Sequence, residues 1–139
     1  MTFWTILRNG IISGIQVTWD LTKTVVPVYF FIVILKHISA LDWLSNVFEP
    51  FMIYFGLPGE AAVPFVLGNV LNLYPALGAI EALSLSSKQI TIIAVMLLFS
   101  HSLPIELAVT KKAGAKIFPI LFIRLLTALI SGLVLNLVL

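Results

Sequence analysis

A chain of 139 residues that is 60% hydrophobic and 10% charged, with a mean hydropathy of +1.13, is too apolar to be a soluble domain. It belongs in a lipid bilayer, as an all-α integral membrane protein. With no cysteine and two histidines, thiol chemistry is excluded and no metal or cofactor is expected, while a net charge of +2 gives no footing for nucleic acid.

Residues 3 to 23 are two-sided at 100° per residue. Arg8, Asn9, Ser13, Gln16, Asp20 and Lys23 share an arc of about 140°, and Phe3, Trp4, Leu7, Ile11, Ile15 and Val17 occupy the rest. The pattern predicts an amphipathic interfacial helix over residues 1–23, with Trp4 and Trp19 as headgroup anchors. An ordinary first span broken by polar residues is the alternative. The start, Met1 to Leu7 before Arg8, lacks the order of a signal peptide, so the amino terminus is expected to be retained. Residues 24–139 then form the transmembrane domain. Its first span is Thr24 to Leu41, in which Lys36 and His37 read as interface markers.

The next stretch, Leu44 to Phe55, is twelve residues, about 18 Å as a helix against a hydrocarbon core of about 30 Å. Gly56-Leu57-Pro58-Gly59 interrupts it and Glu60 to Gly68 continues as a second short helix. That predicts a re-entrant hairpin. Asn69 to Leu85 reads as a marginal span. Gln89 to Phe99 is short again, Ser100-His101-Ser102-Leu103-Pro104 breaks it, and Ile105 to Ala115 leads out through Lys111 and Lys112. This predicts a second hairpin, followed by a last span from Ile117 to Leu139 that carries only Arg124 as a charge. Treating 44–68 and 89–116 as full spans is the weaker alternative, because it puts proline, glutamate and a serine or glycine break at mid-depth.

The two breaks share a motif. Leu57-Pro58-Gly59-Glu60-Ala61-Ala62-Val63 through Gly68 recurs 46 positions later as Leu103-Pro104-Ile105-Glu106-Leu107-Ala108-Val109 through Gly114. Both follow L-P-x-E-x-A-V-x-x-x-x-G. The chain therefore reads as two units, about 44–85 and 89–139, each a hairpin plus a span and so inverted relative to each other. With the amino terminus inside, Arg8, Lys23, Lys88, Lys111, Lys112 and Lys116 all fall on the cytoplasmic side.

Two opposed hairpins would bring two helix amino termini together in mid-membrane, a geometry suited to a small polar or anionic solute. The predicted lining is Gly59, Glu60, Asn69, Asn72, Ser100, His101, Ser102 and Glu106. Each glutamate has a purely structural alternative, since at the third helical position it can cap the helix by reaching back to a preceding N–H. Arg124 is expected to pair with an acid, Glu81 being one candidate. Ser131-Gly132 reads as a helix-packing site. No nucleophile dyad or metal cluster suggests an enzyme.

Gly56 to Ala62, Asn69 to Tyr74, Ser100 to Glu106 and Lys111 to Gly114 resemble the nucleoside recognition, or Gate, domain family, over roughly residues 20 to 139. That family includes the spore maturation membrane proteins, and similar segments occur in the ferrous iron transporter B and the concentrative nucleoside transporters. The resemblance implies a bacterial inner-membrane protein of transporter-like build that acts with a second, related chain. No G-x-x-x-x-G-K-S/T occurs, so the iron transporter's nucleotide-binding domain has no counterpart here. Because three spans and two hairpins cannot cover both tips, a homodimer or a hetero-oligomer with a related membrane chain is expected. The functional expectation is a transporter or transporter half; the alternative is a non-transporting assembly subunit that uses the fold for packing.

Overall fold

The computed structural model describes residues 3–139, all helix and connections, with no strand among them; Met1 and Thr2 of the expected interfacial segment lie outside. Helix α1 runs from Phe3 to His37 without a break. Its polar residues do not interrupt it: the hydroxyls of Thr18 and Thr22 donate to the carbonyls of Gly14 and Thr18, four residues back, and stay satisfied inside the helix. At 35 residues it is about 52 Å long, so no boundary at residue 23 separates an interfacial helix from a span. Residues 3–20 are exposed on every face, and packing begins only near Leu21.

Ser39, in the left-handed region at φ 56°, turns the chain into α2, Ala40–Met52, which tightens into a 3-10 turn over Ile53–Phe55. Gly56 (φ 66°) and an extended Pro58 then reverse the path into a second 3-10 turn, Gly59–Ala61, and α3, Ala62–Val70. The two arms are bent by 88°, a broken or re-entrant pair as the motif implies. Gly59 sits directly on the backbone of Ser45 and Glu49, where any Cβ would collide, so only glycine lets the bend close on α2.

Asn72 caps α4, Leu73–Ala82, its side-chain oxygen accepting from the Tyr74 N–H at 3.0 Å. Ser86 and Gln89 form a capping box at the start of α5, Ser87–Ser100. Helix α6 spans Leu103–Lys112 and α7 spans Ile117–Val138. The main packing pairs are α5 with α7, α1 with α4, and α4 with α3. Ile92, Ile93, Met96 and Leu97 of α5 meet Ala76, Ile80 and Ala128 in one core cluster, and Ile32, Leu41, Ala79 and Leu83 form a second under α1. Gly132 of α7 is buried against Met96 and Phe55, the packing role expected of it.

Three stretches are long and apolar enough to cross a membrane, but they are not the three expected. The region 69–85 supplies only the ten-residue α4, about 15 Å, because Asn72 and Leu83 stop the helix at both ends. Conversely, α5 and α6 do not fold back on each other. Together they form one 26-residue span-length stretch, Ser87–Lys112, so the second break interrupts a span and does not make a hairpin. Lys88 and the pair Lys111 and Lys112 therefore stand at opposite ends of that stretch, not on one side. The two motif units do not share a shape.

At the Lys88 end, three distant segments are tied together. Lys88 donates from Nζ to the Asn136 carbonyl at 2.9 Å, the Asn136 amide donates to the Tyr54 carbonyl at 3.1 Å, and Gly56 lies against the Asn136 side chain.

Candidate functional site: the interrupted span α5–α6

The break between α5 and α6 is two residues deep. His101 is extended (ψ 159°) and Ser102 takes left-handed dihedrals (φ 52°, ψ 34°), after which Leu103 and Pro104 restart the helix with proline in its first turn. Ending a helix inside a span orphans its last carbonyls, and here named partners answer them. The Arg124 Nε donates to the Phe99 carbonyl at 2.9 Å and its Nη2 to the His101 carbonyl at 3.2 Å. The Ser102 N–H donates at 2.9 Å to the carbonyl of Gly68, on α3. The Ser100 hydroxyl, fully buried, donates back to Met96 at 3.0 Å.

The remaining terminal nitrogen of Arg124, Nη1, is ion-paired with the Glu106 carboxylate. His101 stands beside both partners of the break: its Nδ1 is 3.5 Å from Glu106 Oε1 and 3.2 Å from the Ser102 hydroxyl. The side chains of Arg124, His101 and Glu106 are 21%, 28% and 34% exposed, so the cluster is braced on one side and open on the other. Glu106 is an ion-pair partner of Arg124 and stands at the fourth position of α6, not at the third from which a cap reaches back. Arg124 pairs with Glu106 and not with Glu81, which lies exposed on α4.

Beside the break, at the end of α3, stands Asn69. Its amide nitrogen donates to Phe65 at 2.8 Å, but its side-chain oxygen is buried without a donor, in a residue 7% exposed. A buried amide oxygen left unpaired costs about 1–3 kcal/mol.

Of the eight residues singled out from sequence, Ser100, His101, Ser102 and Glu106 come together at this break, and Asn69 follows directly on the glycine that contacts it. Gly59 and Glu60 do not join them. Tyr54 and Gly56 of the first break sit at Asn136, and Arg124 of the second is twelve residues earlier on α7, about 18 Å along the axis. The two breaks do not face each other. Asn72 is occupied as a helix cap. Arg124 is the participant that sequence reading left outside the site, although a lone cation seven residues into the last span was its signal. The carbonyls of Phe99, His101 and Gly68 carry no side-chain signal at all.

Residues 18–117 match the family model for Gate, described as nucleoside recognition. The chain belongs to the Gate family. It is 46% identical over 133 residues to the uncharacterized membrane protein YvoD of Bacillus subtilis (strain 168), a match that covers 96% of this chain and 43% of that one. It is also 36% identical over 67 residues to the inner membrane protein YjiG of Escherichia coli (strain K12), covering 48% of this chain and 43% of that protein. The chain thus spans less than half the length of YvoD. No solved structure matches it. The Gate match includes both motif copies and the whole α5–α6 break, while Arg124 lies beyond its end. This Gate chain is a multi-pass membrane protein of a transporter-type family, not of an enzyme family.

Proposed function

We propose that the chain is one half of a membrane transport unit, non-enzymatic, that binds a small polar solute at the interrupted span α5–α6. The observation that carries this reading is a charged pair, Glu106 with Arg124, at an unwound backbone in the middle of a span-length stretch. Ionisable side chains inside spans are costly and face a bundle interior or a wet cavity, and helices are broken at depth where a solute is bound. Ser102 and His101 supply a hydroxyl and a ring nitrogen beside the pair. The solute is held at this one break and not between two opposed tips.

The open side of the cluster requires cover within a bilayer, and a related membrane chain, or a second copy, supplies it. That the chain matches 43% of YvoD is in keeping with a larger whole. With the amino terminus cytoplasmic and the bent pair α2–α3 re-entrant, Arg8 and the cluster Lys111, Lys112 and Lys116 fall inside and Lys88 outside, which keeps the positive bias in an inner membrane.

A second reading, an assembly subunit without a solute, is favoured by one observation: residues 3–20 are exposed on all faces, as a docking helix would be. Thermal unfolding of the purified chain against a panel of nucleosides, nucleobases, small anions and divalent metals separates the two. A solute present at a hundredfold its Kd stabilises the native state by about 2.7 kcal/mol. The transport reading expects one compound class to stabilise the chain, an effect lost in Ser102→Ala and kept in Glu60→Gln. Silence across the whole panel would leave the assembly reading standing.

A further inference from the structure

We infer that the turn joining α6 to α7 binds the phosphate of an anionic phospholipid, with Lys111, Lys112 and Lys116 as its cations. The inference is independent of the solute site at the α5–α6 break.

Of the eight lysines and arginines of the chain, three have partners: Lys23 pairs with Asp20, Lys88 donates to the Asn136 carbonyl and Arg124 holds the second break. Three of the other five fall within six positions, Lys111, Lys112 and Lys116, and all three are exposed. Among the described residues none of these three makes a side-chain hydrogen bond or an ion pair. The nearest carboxylate along the chain, Glu106, is committed to Arg124.

Helix electrostatics accounts for part of the cluster. Lys111 and Lys112 lie in the last turn of α6, where cations meet the negative end of the helix. Lys116 does the reverse. It is the N-cap of α7, with no capping bond from its side chain and no acid in the first turn that follows. A cation at the positive end of a helix is unfavourable on its own, so the turn by itself is short of negative charge. It is also open: Gly114, at φ 82°, has nothing within 4 Å of where a Cβ would stand, and residues 111–116 are exposed throughout.

Which anion belongs there follows from what lies below the turn. Two span-length stretches, Ser87–Lys112 and Ile117–Val138, meet at it, so it stands where the spans end and headgroups begin. Ile105, Val109 and Lys112, at i, i+4 and i+7, share one face of α6, and all three are exposed. On α7, Phe118 is 84% exposed and Phe122, one turn deeper, 66%. On both helices a lysine thus stands over a bare apolar stripe. That surface matches a molecule with a phosphate at one end and acyl chains at the other; a free anion would use only its upper half.

The test is native mass spectrometry of the purified full chain in detergent, with equal amounts of phosphatidylglycerol and phosphatidylcholine carrying the same acyl chains. At about fivefold per lysine, the expected preference for phosphatidylglycerol is about a hundredfold, weakening as salt is raised. Lys111→Gln, Lys112→Gln and Lys116→Gln together abolish it, while Lys111→Arg, Lys112→Arg and Lys116→Arg together keep it. Removing three cations elsewhere, with Arg8→Gln, Lys23→Gln and Lys36→Gln, also keeps it. Because all these side chains are exposed, every variant should unfold at the wild-type temperature in phosphatidylcholine alone, which separates a lost headgroup from a lost fold. Equal binding of the two lipids, a preference retained in the glutamine variant of the turn, or one lost equally in the Arg8, Lys23 and Lys36 variant would each overturn the inference. So would displacement of phosphatidylglycerol by an equal concentration of glycerol phosphate, the mark of a site for free anions.

Discussion

The two copies of L-P-x-E-x-A-V-x-x-x-x-G have nearly the same letters and different work. In the first, Leu57, Gly59 and Ala61 are buried, the chain turns through 88°, and no ion pair among the described residues reaches Glu60. In the second, Pro104 and Ile105 are exposed, the helix carries on across its break, and Glu106 is held by Arg124 and His101. The terminal glycines part company too: Gly68 is wedged against Leu97 and Ala76, while Gly114, at φ 82°, ends α6 in open space. A motif of this kind specifies a helix start. Whether the chain bends there is decided by what precedes it, two glycines able to take a tight path against α2 in one case, and His101-Ser102 braced by an arginine in the other.

That contrast can be broken at its strongest point first. Gly59→Ala pushes a methyl into the backbone of Ser45 and Glu49, which no rotamer can relieve; a loss of about 3 kcal/mol or failure to fold is expected. Gly114→Ala meets no neighbour and should cost about 1 kcal/mol for its left-handed backbone alone. Thermal unfolding in detergent measures both, and equal losses would erase the distinction between a packed and an open copy.

Next comes the charge cluster. Arg124→Gln strands Glu106 and leaves the carbonyls of Phe99 and His101 short of donors, for about 2–3 kcal/mol, less than a fully buried pair because the cluster is part-open. Glu81→Gln, the exchange that matters if the arginine leaned on Glu81, should be close to neutral in the same assay.

Smaller still is Asn69→Leu. Removing an amide whose oxygen has no donor should leave stability unchanged or raise it by about 1 kcal/mol. A marked loss of stability would show that the oxygen has a structural partner. The smallest effect belongs to Glu60→Gln, expected within about 0.5 kcal/mol and without influence on solute binding. If it abolished solute-dependent stabilisation as Ser102→Ala is expected to, the two copies would be equivalent after all.

Much of this was legible from residues alone. The solvent, the helical class, the last span and both break positions follow from hydropathy and from Pro, Gly and Ser placement, and the Ser100-His101-Ser102 and Glu106 grouping follows from the second break. Two features were not. Whether a break bends depends on tertiary contacts such as Gly59 on Ser45, which local patterning does not encode. The residues 69–85 were apolar enough for a span, yet the Asn72 cap shortened the helix to ten residues, a local hydrogen bond overriding average hydropathy. Arg124 was visible as an anomaly, but its partner was ambiguous because all six acids of the chain lie upstream and only the packing of α6 on α7 chose among them.

The tie among Lys88, Asn136 and Tyr54 has a consequence for the order of assembly. It joins segments 82 residues apart in sequence, and its central member lies three residues from the end of the chain as given. In a chain that emerges amino end first, the first bend packs on α2, α4 and α5 but lacks its Asn136 contacts until α7 arrives. The bend is thus completed late, by the last helix. A chain stopped before Asn136 should insert α1 and form α5 normally, yet leave the Tyr54 carbonyl and the Gly56 turn without their Asn136 contacts. What looks like a local turn early in the sequence is, in time, one of the final contacts to close.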